Sequence, residues 1–159
     1  MLLYVIFYGN SSHACIMAVE RKIEDVAFAD AVFVGGLVKY EVVKPRDKFD
    51  LSAYAILTFD VEKLVGGDLR KKRIQIYWHN STFGMPENLT LRRYLVAITT
   101  HKQPPSRGPS AVIFASQRLG LISVLQAPCA EPFLLEPTEK NVEQVRNVLK
   151  KRSQSRETK

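Results

Sequence analysis

The sequence predicts a mainly β protein: a small closed barrel of five strands, with one helix ahead of it and one behind. Three observations carry this. Short segments rich in Val, Ile, Phe and Tyr recur between Gly, Pro and Asn turns. The first of them holds Gly35-Gly36 in its middle, and paired glycines inside a strand mark a bulge or a sharp barrel bend. With 159 residues the chain suits one domain with a core of ordinary size.

The elements follow in chain order. Residues 19–28 place Ile23, Val26 and Ala27 on one helical face, with charges opposite. Asp30 to Val43 reads as a long strand, and Pro45 to Leu51 as a polar turn. Ala53 to Val65 alternates, with Ala55, Leu57, Phe59 and Val61 against Tyr54, Ile56, Thr58, Asp60 and Glu62, as a half-buried strand does. Gly66-Gly67-Asp68 turns the chain. Arg73 to Trp78 and Arg92 to Thr99 are two more strands, joined by a loop from His79 to Thr90. Beyond the Pro-rich segment 103–109, residues 111–116 and 119–126 read as a final hairpin. Pro137 at a first helical position opens an amphipathic helix to Arg152, with Val142, Val145, Val148 and Leu149 on one stripe. This order and size suit a Greek-key barrel of the OB type.

The start of the chain permits two readings. Leu2 to Tyr8 is an uninterrupted apolar run, which serves equally as a buried strand or as the apolar core of an export leader. Ser12 and Ala14 stand three and one places before a bond that signal peptidase would accept, so the leader is preferred. Residues 1–14 are then the remnant of a signal peptide, 15–152 a single domain, and 153–159 a basic disordered tail. The mature protein is expected to be exported, periplasmic or secreted, with no stable membrane insertion.

The charge is +7, from 23 Lys and Arg against 16 Asp and Glu. Much of the excess sits in Arg70–Arg73 and in the last ten residues, which read as a solvated turn and a fraying end. A nucleic-acid groove is therefore disfavoured, while an OB barrel that binds nucleic acid or another polyanion through its basic surface stands as the alternative function. Cys15 and Cys129 are the only cysteines, too few for a zinc finger. Two cysteines in an exported chain suggest one disulfide, and closing so long a loop is worth ~4–5 kcal/mol in the chain-entropy picture. His79 and His101 are isolated, Gly35-Gly36 and Gly66-Gly67 lack a phosphate-loop pattern, and Trp78 reads as core. No enzyme, cofactor or resident metal is expected.

The ordered landmarks resemble the inhibitory domain of the tissue inhibitors of metalloproteinases, within the netrin-like group of OB barrels. The matching residues are Cys15 directly after a leader, then Ala29-Asp30-Ala31-Val32-Phe33-Val34-Gly35. Tyr54, Thr58, Phe59, Val61 and Gly66-Gly67-Asp68 follow, then Tyr94-Leu95-Val96 and a late Cys129. The family pattern has Cys-x-Cys where this chain has Cys15-Ile16-Met17, and a loop cysteine where residues 80–86 have none, as in a bacterial-type member with a reduced cysteine set.

The resemblance implies a protein-binding barrel, with a zinc metalloproteinase as the partner class. The free α-amine and carbonyl of Cys15 would chelate the partner's catalytic zinc, displacing its water. Ile16 would enter a pocket of the partner, with Met17 and Ala18 behind it. Ser81, Thr82, Phe83, Gly84 and Met85 would flank this ridge. The resemblance also matches Cys129 to the family's late cysteine, consistent with a Cys15–Cys129 disulfide.

Overall fold

The computed structural model describes residues 21–43, 54–79, 88–100, 121–126 and 131–157. Strands β1 (Ala31–Val43), β2 (Tyr54–Gly67), β3 (Arg73–His79), β4 (Arg93–Thr99) and β5 (Ser123–Val124) run in the order β1-β2-β3-β5-β4. A further β1–β4 pairing returns the sheet to its first strand. The result is a closed five-stranded barrel of the OB type. It is mixed, because β3 and β5 run parallel while the other seams are antiparallel. A two-residue strand, β6 (Leu134–Leu135), adds to the outer edge of β4. Helix α1 (Glu139–Glu157) follows.

β1 pairs with β2 along its whole length and with β4 over Ala31–Gly36. The β1–β2 register shifts at Val32/Phe33, Val34/Gly35 and Leu37/Lys39; the extra residue at Gly35 is Glu62 on the facing strand β2, and the one extra residue on β1 is Val38 rather than a glycine. Gly35 is required at its place, since a Cβ there would stand 2.6 Å from the Asp60 carbonyl oxygen of β2.

The alternation read in β2 holds. Ala55, Leu57 and Phe59 face the barrel interior, with Phe33, Leu37, Ile74, Ile76, Trp78, Tyr94, Val96, Ile98 and Val124. Phe59 stands edge-on to both Phe33 and Tyr94, at centroid distances of 5.8 and 6.3 Å. Trp78 belongs to this core, and its indole nitrogen donates to Gln126 Oε1 at 3.1 Å. The alternate residues of β1 and β4 face outward into a second cluster. There Val32, Val34, Leu95 and Ala97 meet Val26, Leu125, Phe133 and Val145.

Several boundaries differ from expectation. The first helix is a 3-10 helix over Ile23–Phe28, closed by Ala29 N–H donating to Val26 O; residues 19 and 20 lie outside the described residues. β2 runs through Gly66-Gly67, which pair with Val32 and Ala31 rather than forming the turn. α1 starts after Pro137, because Thr138 is its cap: the Thr138 hydroxyl accepts from Asn141 N–H at 3.2 Å. The helix also continues past Arg152 to Glu157, over residues read as tail. Of the expected final hairpin, residues 111–116, 119 and 120 lie outside the described residues, and within 121–126 only the two residues of β5 form strand; β6 was not anticipated. Among the described residues no helix is long and apolar enough to cross a membrane.

Candidate partner-binding edge

The antiparallel pairings send two connections out of the same end of the barrel. β1 ends at Val43 opposite Tyr54, and Tyr54 in turn lies opposite His79 at the end of β3. The β1–β2 and β3–β4 connections therefore leave side by side. Their central parts, including Ser81, Thr82, Phe83, Gly84 and Met85, lie outside the described residues, as do Cys15, Ile16, Met17, Ala18 and Cys129.

The return arm of the β3–β4 connection is described, and three contacts hold it. Leu89 packs on the barrel interior, the Tyr94 hydroxyl donates to Thr90 O at 2.9 Å, and Leu37 N–H donates to Arg92 O at 2.9 Å. Fixed this way, the arm presents Leu91 to solvent with 60% of its surface exposed. The last hydrogen bond of the β1–β4 seam has Leu91 beside it on one strand. On the other stands Val38, the extra residue of the third bulge, 43% exposed. Exposed large apolar side chains on a small domain mark contact surfaces when they cluster.

Around this pair the polar groups are organised. The Arg92 guanidinium lies over the Tyr94 ring at 5.1 Å, and its interaction with Tyr94 raises its pKa. Arg92, Arg93, Glu136, Pro137 and Thr138 line a groove of ≈ 510 Å³ between the start of β4 and the start of α1. Burial pushes the Tyr40 phenol above its ordinary range.

On the barrel wall, cations are matched to acids. Arg73 donates twice to the Asp60 carboxylate, at 2.6 and 2.8 Å, and this holds Asp60 below the usual carboxylate range. Arg93 meets Glu62 at 2.7 Å and Lys39 meets Glu41 at 2.9 Å. These three cations are matched, while the exposed Lys63, Lys71 and Lys72 carry no ion pair among the described residues.

A second cleft, ≈ 280 Å³, lies between the start of β1, Gly66-Gly67 and Leu149, Arg152 and Ser153 of α1. Its groups are engaged in holding the fold: Asp30 Oδ2 accepts from Thr99 and Thr100, and Arg152 donates to Ala29 O at 2.7 Å. Among the described residues no group of three His, Cys, Asp or Glu is placed to hold a metal.

Sequence reasoning missed Val38, Leu91 and Arg92. Leu91 carries one usable signal, a leucine two residues after Leu89 in a polar connection, where only one of the two finds a place on the barrel interior. No protein-family model and no curated protein matches this chain.

Proposed function

We propose that the protein is an exported, non-enzymatic netrin-like barrel that binds another protein through the end carrying Leu91, with a zinc metalloproteinase as the partner class. The observation that carries the protein-binding part is Leu91, a leucine held in solvent by a pinned arm beside the Arg93–Glu62 ion pair. A protein contact patch combines an exposed apolar anchor with locally neutralised charge, whereas a nucleic-acid groove leaves its cations open.

The metalloproteinase part comes from the resemblance. A Cys15 at the mature N-terminus supplies an uncharged amine and a carbonyl on one residue, which close a five-membered chelate on a partner's zinc. A Cys15–Cys129 disulfide would tether that residue to the barrel between β5 and β6.

The test uses two forms of the protein, one starting at Cys15 and one with a single residue added ahead of it. Inhibition of zinc metalloproteinases by the first form only is expected, at micromolar concentration or below (about −8 kcal/mol or tighter). Leu91→Asp in the first form should weaken that inhibition without lowering thermal stability. Equal behaviour of the two forms removes the chelate mechanism.

One observation favours a second reading, a polyanion-binding barrel. Arg146, Lys150 and Lys151 are exposed on α1, and the helix carries no acid between Glu143 and Glu157. That reading requires affinity for an oligonucleotide or another polyanion that falls steeply with salt.

A further inference from the structure

The outer edge of β1 changes character beyond Gly36. Up to that residue β1 is flanked by β2 and β4, and the bond from Leu37 N–H to Arg92 O ends the β4 seam. Among the described residues, Lys39–Val43 then pair with β2 alone. Among the described residues β1 thus forms the edge of a three-stranded β1–β2–β3 sheet at this end of the barrel.

Natural edge strands resist pairing with other chains, and a lysine in mid-edge is a common device. Here the lysine does not stand alone. The edge reads Val38-Lys39-Tyr40-Glu41-Val42, which is its own complement when reversed. In an antiparallel pairing of two copies centred on Tyr40, each Lys39 meets the other copy's Glu41, and each Val38 meets the other copy's Val42. Both charged side chains are exposed, 60% for Lys39 and 44% for Glu41, and Lys39 Nζ already lies 2.9 Å from Glu41 Oε1 within one chain.

Neighbouring registers fail. Centring on Lys39 or Glu41 sets like charges opposite each other, and centring between Tyr40 and Glu41 sets each charge against a valine or a tyrosine. We infer that this edge pairs with the same edge of a second copy of the chain, giving a two-fold symmetric dimer with a sheet continuous across the interface. The symmetry is the isologous kind, in which one self-complementary patch serves both subunits. An edge this short buries little surface, so the dimer is weak and concentration-dependent.

The experiment is sedimentation of the full chain from about 1 µM to 1 mM. Three variants accompany it: Lys39→Glu, Glu41→Lys, and the double exchange Lys39→Glu/Glu41→Lys. Each single variant sets like charges across the two-fold axis, so its self-association should weaken by about tenfold or more. The double exchange restores the palindrome and should associate like the original chain. An equimolar mixture of the two single variants should form a heterodimer tighter than either homodimer, and circular dichroism of each variant separates this from loss of fold. An original chain that stays monomeric at the highest concentration overturns the proposal and leaves the edge to a strand of another protein. Equal association of all four chains overturns it as well, since the contact then lies elsewhere.

Discussion

The two apolar clusters of this molecule lie back to back across one sheet, and they are built differently. The inner one is drawn from barrel strands, with Phe33, Phe59 and Tyr94 packed edge-on at its centre and hydrogen-bonded seams closing around it. The outer one is assembled from the 3-10 helix, the segment around Phe133 and α1, laid against the outward residues of β1 and β4. To it α1 contributes a single fully buried side chain, Val145, while Val142, Val148 and Leu149 are half-buried. The barrel is thus a self-sufficient unit, and the helix is a layer fastened by few contacts. Stability should therefore reside mainly in the inner cluster, leaving the outer layer free to loosen first.

The largest expected effect breaks the inner cluster. Phe59→Ala removes the ring that stands edge-on to two others in a site with no solvent access. Truncations of this kind cost about 3–5 kcal/mol, a large share of a small domain's stability. Equilibrium denaturation should show cooperative unfolding of the whole molecule at much lower denaturant. Val145→Ala, made in the outer cluster, should cost distinctly less. If Val145→Ala costs as much as Phe59→Ala, the two clusters do not differ as described.

The same contrast explains what was legible in the sequence. Inner-cluster strands announce themselves, because a residue facing a closed barrel must be apolar and its neighbour need not be; β2 alternates for that reason, and β3 and β4 lie within a residue of their expected bounds. The outer layer rests on tertiary contacts with no local period. β6 in that layer is two residues long, and β5 is as short although it is a barrel strand with Val124 in the inner cluster. Both are fixed by tertiary bonds such as Phe133 N–H to Leu125 O and Tyr77 N–H to Ile122 O, and not by a local period. Gly66-Gly67 looks like a turn because turns and close approaches both call for glycine. Here the second demand wins: a Cβ on Gly67, whose φ is +82°, would collide with Asp30 O. At the candidate site the sequence yields a resemblance that points to Cys15 and the Ser81–Met85 connection, but Leu91 is distinguishable from Leu89 only once the arm's anchoring is known.

A middle-sized effect sharpens the comparison at the point where α1 meets the barrel. A Cβ on Gly66 would stand 2.5 Å from Leu149 Cδ1, the far end of a flexible side chain. Because that tip can move, Gly66→Ala should cost only about 1 kcal/mol, the low end of overpacking, and the strain should fall on the helix rather than on the barrel. In a Leu149→Ala background the same substitution should cost almost nothing, because the obstructing methyl is gone. The double-mutant cycle measures this coupling directly. Amide exchange should meanwhile show faster opening in α1 with β1–β4 protection retained. A cycle with no coupling would mean that the glycine serves the strand backbone and not the helix.

The smallest effect lies on the barrel wall, where charge is paired but exposed. Asp60 is held below the ordinary carboxylate range chiefly by its hydrogen bonds from Arg73 and further by the charge of that guanidinium, against an opposing contribution from desolvation. A carboxylate depressed in the folded state favours folding at pH above its unfolded pKa, near 4. That contribution is lost as pH falls through the depressed folded value, so near neutrality it is fully present and does not vary with pH. Exposed pairs of this kind contribute little, and salt screens them. The direct measurement is a carbon-detected NMR titration of the Asp60 carboxyl. Its midpoint should lie below that of an unpaired aspartate and move up toward the ordinary value in Arg73→Gln, while the barrel's stability at pH 7 changes only slightly. An Asp60 midpoint unmoved by Arg73→Gln would show that the pair does not persist in solution. The wall would then offer an open Arg73 beside the Arg70–Lys72 turn, and the balance between protein and polyanion partners would tilt toward the polyanion.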